Sequence, residues 1–180
     1  MGIHAQLTPH PSTPGPDGLT VGVQLRRTEG GRLLLAEYRL AGETDTVLWP
    51  KAKPGAGRRD RLWERTCLEL FWAQPGSEGY WEANLSPEGD WALYRFSKYR
   101  EGMAPEERCD LRVARGGSTH AGFAVDLGAL GLGSAAVELN ATAVIQEASG
   151  QVRYWAAKHR VDQPDFHWRE AFGLHLGVGK

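Results

Sequence analysis

Two cysteines, two methionines and no apolar run of membrane-spanning length are what this 180-residue chain has to offer where many proteins have more. Each shortage excludes something. No segment approaches the roughly 20 apolar residues a bilayer crossing needs, and nothing near the N-terminus joins a basic segment to an apolar run as a secretory signal does. A cytoplasmic protein is the expectation, with Cys67 and Cys109 as two reduced thiols rather than a disulfide. Charge of one sign is also missing: 21 basic and 22 acidic side chains leave a net charge of -1. No general field attracts nucleic acid or an anionic membrane, so neither is an expected partner.

Helix signals are few as well. Asp165 to Phe172 predicts one short turn after Pro164, and Asp126 to Gly131 reads as a tight connector. No repeat of solenoid or propeller spacing is present. The length suits one domain spanning residues 1–180.

What the chain does have is alternation. Period-2 runs recur at Leu19 to Arg26, Arg32 to Leu40, Thr66 to Trp72, Tyr80 to Leu85, Asp90 to Phe96 and Asp110 to Ala114. They continue at Gly122 to Leu127, Val137 to Ile145, Gln151 to His159 and Leu174 to Val178, after a first short strand that ends near Pro9. The loops Pro9 to Gly18 and Pro50 to Gly57 punctuate them. Many short strands with turns between them predict an all-β antiparallel sandwich or barrel with under about a fifth of its residues in helix.

The segment from Arg59 to Met103 carries four of the seven Trp and reads as a β-meander. Leu68, Leu70 and Trp72 share one face of their strand, and Trp81, Ala83 and Leu85 share one face of the next. Only the register that merges these sets gives a continuous apolar face. It gathers Glu69, Phe71, Tyr80, Glu82 and Asn84 on the other. In the third strand Trp91, Leu93 and Arg95 compete almost equally with Ala92, Tyr94 and Phe96 for the core. The expectation adopted is that Trp91 and Arg95 join the Glu82 face, which would set an indole and a guanidinium beside two carboxylates.

Two carboxylates on adjacent strands suit general acid/base chemistry, as in glycoside hydrolysis. They suit equally a structural ion-pair network with Arg65, Arg95 or Lys158. Trp63, Tyr80, Trp91, Tyr99 and Trp155 are candidates for stacking on a sugar ring, with core packing as the alternative for each. The six His follow no metal spacing, since His159 and His167 are eight apart without paired Cys, and no metal site is expected. Trp155 and His159 share a strand face, and Asp165 could cap the turn that contains His167. No G-x-S-x-G elbow is present and Cys67 is mid-strand, which speaks against a nucleophilic hydrolase.

These residues resemble bacterial DOMON-like proteins, relatives of the family 9 carbohydrate-binding modules. The resemblance rests on an Arg59-Asp60 entry into Leu62-Trp63-x-x-Thr66-Cys67-x-Glu69. It rests also on Tyr80-x-Glu82-x-Asn84-x-Ser86-Pro87-x-Gly89-x-Trp91-x-x-Tyr94-x-Phe96-x-x-Tyr99-Arg100, on Tyr154-Trp155-Ala156 and on Pro164-Asp165-Phe166-His167. It implies a jelly-roll β-sandwich with a ligand site on one sheet that binds sugar, or haem in the wider superfamily.

The reading that follows is a non-catalytic module for a small polar ligand, a sugar or glycoconjugate. Its expected pocket is lined by Glu82, Asn84, Trp91 and Arg95, with Trp155 or His159 from the late strand; no cofactor is expected. The alternatives are a haem-binding or redox-linked protein and, third, an enzyme using Glu69, Glu82 and a histidine. The oligomeric state is not legible.

Overall fold

The computed structural model describes residues 2–115, 117–160 and 162–178. Its strands in chain order are β1 (Gly2–Pro9), β2 (Leu19–Arg27), β3 (Leu33–Gly42), β4 (Cys67–Ala73), β5 (Tyr80–Leu85) and β6 (Trp91–Phe96). The rest are β7 (Ala104–Pro105), β8 (Arg112–Arg115), β9 (His120–Asp126), β10 (Val137–Gln146), β11 (Val152–Ala156) and β12 (Leu174–Leu176). The fold is all-β, and the turn expected after Pro164 is a single 3-10 turn at Arg169–Ala171.

Every named strand pairing is antiparallel, and the ladder runs β7-β6-β5-β4-β10-β11-β1-β2-β3-β9-β8, with β12 beside the start of β10. β1 makes the bend: Gly2 to Leu7 pair with β2, while Thr8 and Pro9 pair with β11. The sheet therefore curls until its two halves face each other, and one continuous core fills the space between them. Val21, Val23, Leu25, Leu34 and Tyr38 come from one half, and Leu68, Leu70, Trp72, Ala83, Leu93 and Ala141 from the other. The buried Tyr38 hydroxyl crosses that core and donates to the Glu69 carbonyl at 2.5 Å.

The β4–β5 register is the one that the alternation predicts. Leu70 lies opposite Ala83 and Phe71 opposite Glu82, so the Glu69 and Glu82 side chains leave the same side of the sheet, away from the core.

The third strand corrects the expectation. Leu85 pairs with Trp91, Ala83 with Leu93 and Trp81 with Arg95, so Trp91 and Arg95 point to the core side, and Arg95 ends exposed at the strand tip. Ala92, Tyr94 and Phe96 take the Glu82 side instead. The turn fixes this choice. Ser86 N–H donates to the Asp90 carbonyl at 2.8 Å, and Gly89 adopts φ 100, a conformation that favours glycine. Trp91 then sits under the Arg58 guanidinium, 4.5 Å from the ring centroid.

Trp155 is likewise a core residue and not a lining of the Glu82 face. It pairs with Ala143 and packs into the central cluster, and its predecessor Tyr154 takes the outer side. The loop after β1 closes over it so tightly that a Cβ on Gly15 would lie 2.3 Å from the indole.

Leu70→Ala should cost about 2 to 5 kcal/mol through the cavity it leaves in the fully buried core. Urea denaturation is the measurement, and a loss below about 1 kcal/mol would contradict the packing described.

Candidate functional site

The outer face of β4, β5, β6 and β10 is a second interior. Cross-strand pairing builds it: Glu69 faces both Asn84 and Thr142, Phe71 faces both Glu82 and Asn140, and Glu82 faces Tyr94. A polar band of Glu82, Asn84, Glu69 and Thr142 thus crosses three strands. Apolar groups flank it, among them Phe71, Phe96 and Val144. Residues that follow β11 form a roof, which places Phe166, His167 and Phe172 over the band.

One buried carboxylate holds the roof down. Asp165 Oδ1 accepts from the Arg100 guanidinium at 2.9 Å and from His167 N–H at 3.2 Å, and Oδ2 accepts from the Tyr99 hydroxyl at 2.6 Å. Burial alone would raise Asp165, but the Tyr99 and Arg100 hydrogen bonds hold it below its ordinary value. Two segments some 65 residues apart in sequence meet at this point.

On the opposite wall Trp63 is set by Asp60. The Asp60 carboxylate accepts from Arg61 N–H at 2.9 Å and from the Tyr94 hydroxyl at 2.5 Å, which stabilises Arg61 at φ 61 and starts the single turn Leu62–Glu64. Trp63 then meets the Tyr94 ring edge-on at 5.9 Å.

Between band and roof lies a cavity of about 540 Å³, within the range of small-molecule sites. Glu69 and Glu82 line it together with Trp63, Phe71, Phe96 and Tyr154; Phe166 and His167 close it, and Arg100 and Met103 mark its edge. A larger depression of about 700 Å³ lies near Trp49 and Asp90. Its Lys53 is already paired with both Glu88 and Asp90 at 2.5 Å, so its charges satisfy one another. The smaller cavity holds two buried carboxylates that make no salt bridge to Lys or Arg among the described residues, and is the better candidate.

Glu69 Oε1, in the lining, and Asn84 Oδ1 and Asn140 Oδ1, behind it, are buried without a hydrogen-bond partner among the described residues. All three are acceptors. Glu69 Oε2 accepts from Thr142 at 3.3 Å, and Glu82 Oε1 accepts from the Asn84 amide at 2.8 Å. The ion-pair network with Arg65, Arg95 or Lys158 does not form. Among the described residues the one basic nitrogen within 4.0 Å of either carboxylate is His167 Nε2, 3.9 Å from Glu82 Oε2.

Burial decides the protonation of the pair. Glu69 and Glu82 are 2% and 4% exposed. Desolvation pushes Glu69 well above the carboxylate range, with the Glu82 charge adding to it, and desolvation lifts Glu82 to about 7 against the opposing Asn84 hydrogen bond and Arg100 charge. Desolvation, then Arg100, lowers His167 to about 4, so the imidazole is neutral at pH 7. Its Nδ1 is 2.8 Å from the Tyr80 hydroxyl, which in turn accepts from Arg100 N–H at 3.1 Å. The hydroxyl has one proton to give and a second lone pair to accept with, so the tautomer of the neutral ring follows from what meets Nε2 on the Glu82 side.

Of the residues singled out from sequence, the structure brings Trp63, Glu69, Glu82 and His167 to the cavity, with Asn84 and Tyr80 directly behind them. Tyr99 stands outside the lining, its hydroxyl on Asp165. His159 also lies apart, 2.7 Å from the Thr8 carbonyl and edge-on to His10 at 5.1 Å. Trp91, Arg95 and Trp155 are on the core side of the sheet. Phe96, Tyr154 and Phe166 were not expected at the site, although Phe96 and Tyr154 share strand faces that the correct parity would have revealed.

No family model and no curated protein matches the chain. Among solved structures it is similar to the crystal structure of a Bacteroides uniformis protein provisionally described as carbohydrate-binding, with a TM-score of 0.66 and 14% identity. The match covers 96% of this chain and 84% of that one. At that identity the likeness shows the shared fold alone.

The titrations give a test of the buried carboxylate. Glu82 keeps its proton in the fold up to about 7 but loses it near 4.5 when unfolded, so its contribution to stability is present below 4.5 and is lost as pH rises through 7. His167 acts in the opposite sense: the unfolded chain takes a proton near 6.5 and the fold only near 4, so its contribution is lost as pH falls between them. The two partly cancel in the parent protein. Glu82→Gln removes the first, so the variant should gain on the parent as pH rises from 5 to 8, by roughly 3 kcal/mol at the upper end. Urea titrations at both pH values measure it; a difference between variant and parent that is the same at pH 5 and pH 8 would mean that Glu82 ionises freely.

Proposed function

We propose that this protein is a non-catalytic binding module that holds a small polar ligand, a sugar or glycoconjugate, in the roofed cavity over β4 and β5. The observation that carries the reading is a cavity between aromatic rings that holds two buried carboxylates, with Glu69 Oε1 and, behind it, Asn84 Oδ1 and Asn140 Oδ1 unpartnered among the described residues. Leaving a buried acceptor unmade costs about 1 to 3 kcal/mol, so a site that tolerates several is built for a donor from outside. Hydroxyls supply such donors, and the rings of Trp63, Tyr154 and Phe166 offer flat surface for the apolar face of a pyranose. The description of the Bacteroides uniformis structure and the DOMON-like sequence resemblance support the same class of ligand.

Haem fits the site poorly. Met103 and His167 both border the cavity, but the imidazole is caged by Phe71, Phe96 and Tyr80 at centroid distances of 5.0, 5.1 and 5.8 Å. Its Nε2 faces Glu82 at 3.9 Å, which leaves no approach for a macrocycle. A second reading, acid/base catalysis, is favoured by one observation: Glu82, at about 7, is tuned to exchange a proton at neutral pH.

Calorimetric titration against mono- and oligosaccharides tests the proposal. Glu82→Ala and Trp63→Ala should each weaken binding by at least about 1 kcal/mol with the fold intact. Trp91→Ala should instead lower stability, by about 3 to 5 kcal/mol, because its indole is in the core. Absence of binding to every sugar, or variants at Glu82 and Trp63 that bind like the parent, would overturn the reading. Turnover lost in Glu82→Gln with binding retained would favour the enzyme.

A further inference from the structure

We infer that the ligand of this cavity carries a positively charged nitrogen, as an amino sugar does, and that Glu82 and Glu69 are its counter-charges. The inference rests on the binding reading above and names the chemistry of its ligand. Two carboxylates line one cavity, each under 5% exposed, and among the described residues neither has a Lys or Arg within 4.0 Å. Arg100, the cation at the cavity edge, is engaged with Asp165. The other polar groups around the pair, Asn84, Thr142, Asn140 and Gln163, are neutral, and so is the imidazole of His167.

A buried carboxylate gives up its proton where a cation pairs it, and among the described residues no Lys or Arg lies within 4.0 Å of either one. The deficit is one of charge as well as of hydrogen bonds. Glu69 and Asn84 are paired across β4 and β5, and Glu69 Oε1 and Asn84 Oδ1 each lack a donor among the described residues. An ammonium has three donors and no acceptor, which is the complement of that arrangement.

The walls separate an organic cation from a metal ion. Phe71, Phe96, Phe166, Tyr154 and Trp63 present ring faces and edges, and ring faces attract an alkylammonium while offering a metal ion no ligand atom. Among the described residues no group of three or more His, Cys, Asp or Glu is placed to hold a metal.

Four probes at pH 7 decide the matter by calorimetry: glucose, glucosamine, N-acetylglucosamine and cyclohexylamine. The inference expects glucosamine to bind at least tenfold tighter than glucose and N-acetylglucosamine. It expects Glu82→Gln, which keeps the hydrogen-bonding shape and removes the charge, to reduce that preference to within about threefold.

Equal binding of glucose and glucosamine would overturn the charged nitrogen and leave the sugar reading standing. A preference that survives in Glu82→Gln would overturn Glu82 as the counter-charge. Cyclohexylamine binding as tightly as glucosamine, with glucose inert, would support the charged nitrogen while removing the sugar. If none of the four binds, both readings fall.

Discussion

Desolvation of Glu69 and Glu82 is the constraint from which the rest of the site follows. A carboxylate that leaves water without a partner loses several kcal/mol of solvation, and two on one face add mutual repulsion. Beneath the roof both groups favour the protonated form more than a free carboxyl does: burial pushes Glu69 well above the carboxylate range and Glu82 to about 7. Remove the roof and both groups return to ordinary acids on an open sheet. The cavity, the raised titration of Glu82 and the lowered titration of His167 are consequences of one act of covering.

That covering depends on Asp165, whose side chain is 1% exposed and ties the chain after β6 to the chain after β11. Strand pairing does not join the two segments among the described residues, so their mutual position is set by this carboxylate and by ring contacts of the roof such as His167 with Phe96, edge-on at 5.1 Å. Local opening needs few bonds broken at such a place, and ligand-binding loops are drawn from the less stable parts of a structure. Tyr99 and Met103, 43% and 46% exposed, stand at the edge of the segment that Asp165 holds. Entry through that edge would disturb hydrogen bonds and leave the strand ladder untouched.

How much of this was legible in the sequence depended on whether a strand had one wet face. In β4 and β5 the set Leu68, Leu70, Trp72, Trp81, Ala83 and Leu85 is more apolar than the set with two Glu and an Asn, and alternation gave the correct register. In β6 both faces are buried, so Trp91, Leu93 and Ala92, Tyr94, Phe96 are each adequate core, and periodicity carries no preference. The same ambiguity exchanged Trp155 for Tyr154. The two-residue β7 is too short to show a period at all, and the expected strand end at His159 falls beyond β11, where the chain turns away to form the roof. The Asp165 to Arg100 tie is a contact across 65 residues without any local pattern to announce it.

The chemistry that makes Glu82 a plausible acid or base also makes it a receptor for a cation, since both require a carboxylate whose charge is unfavourable until something arrives. Geometry separates the two uses. A catalytic pair needs its proton donor and acceptor within hydrogen-bond reach of each other or of one reacting atom, about 2.6 to 3.2 Å. His167 Nε2 stands 3.9 Å from Glu82 Oε2, too far for direct transfer, and Tyr80 together with the Asp165 contact to its backbone fixes it there. The ring nitrogen and the carboxylate oxygen can therefore meet the same ligand group from two sides without exchanging a proton between themselves. A donor seated in that gap would satisfy Glu82 and leave the imidazole neutral, as the proposed recognition of a charged nitrogen requires.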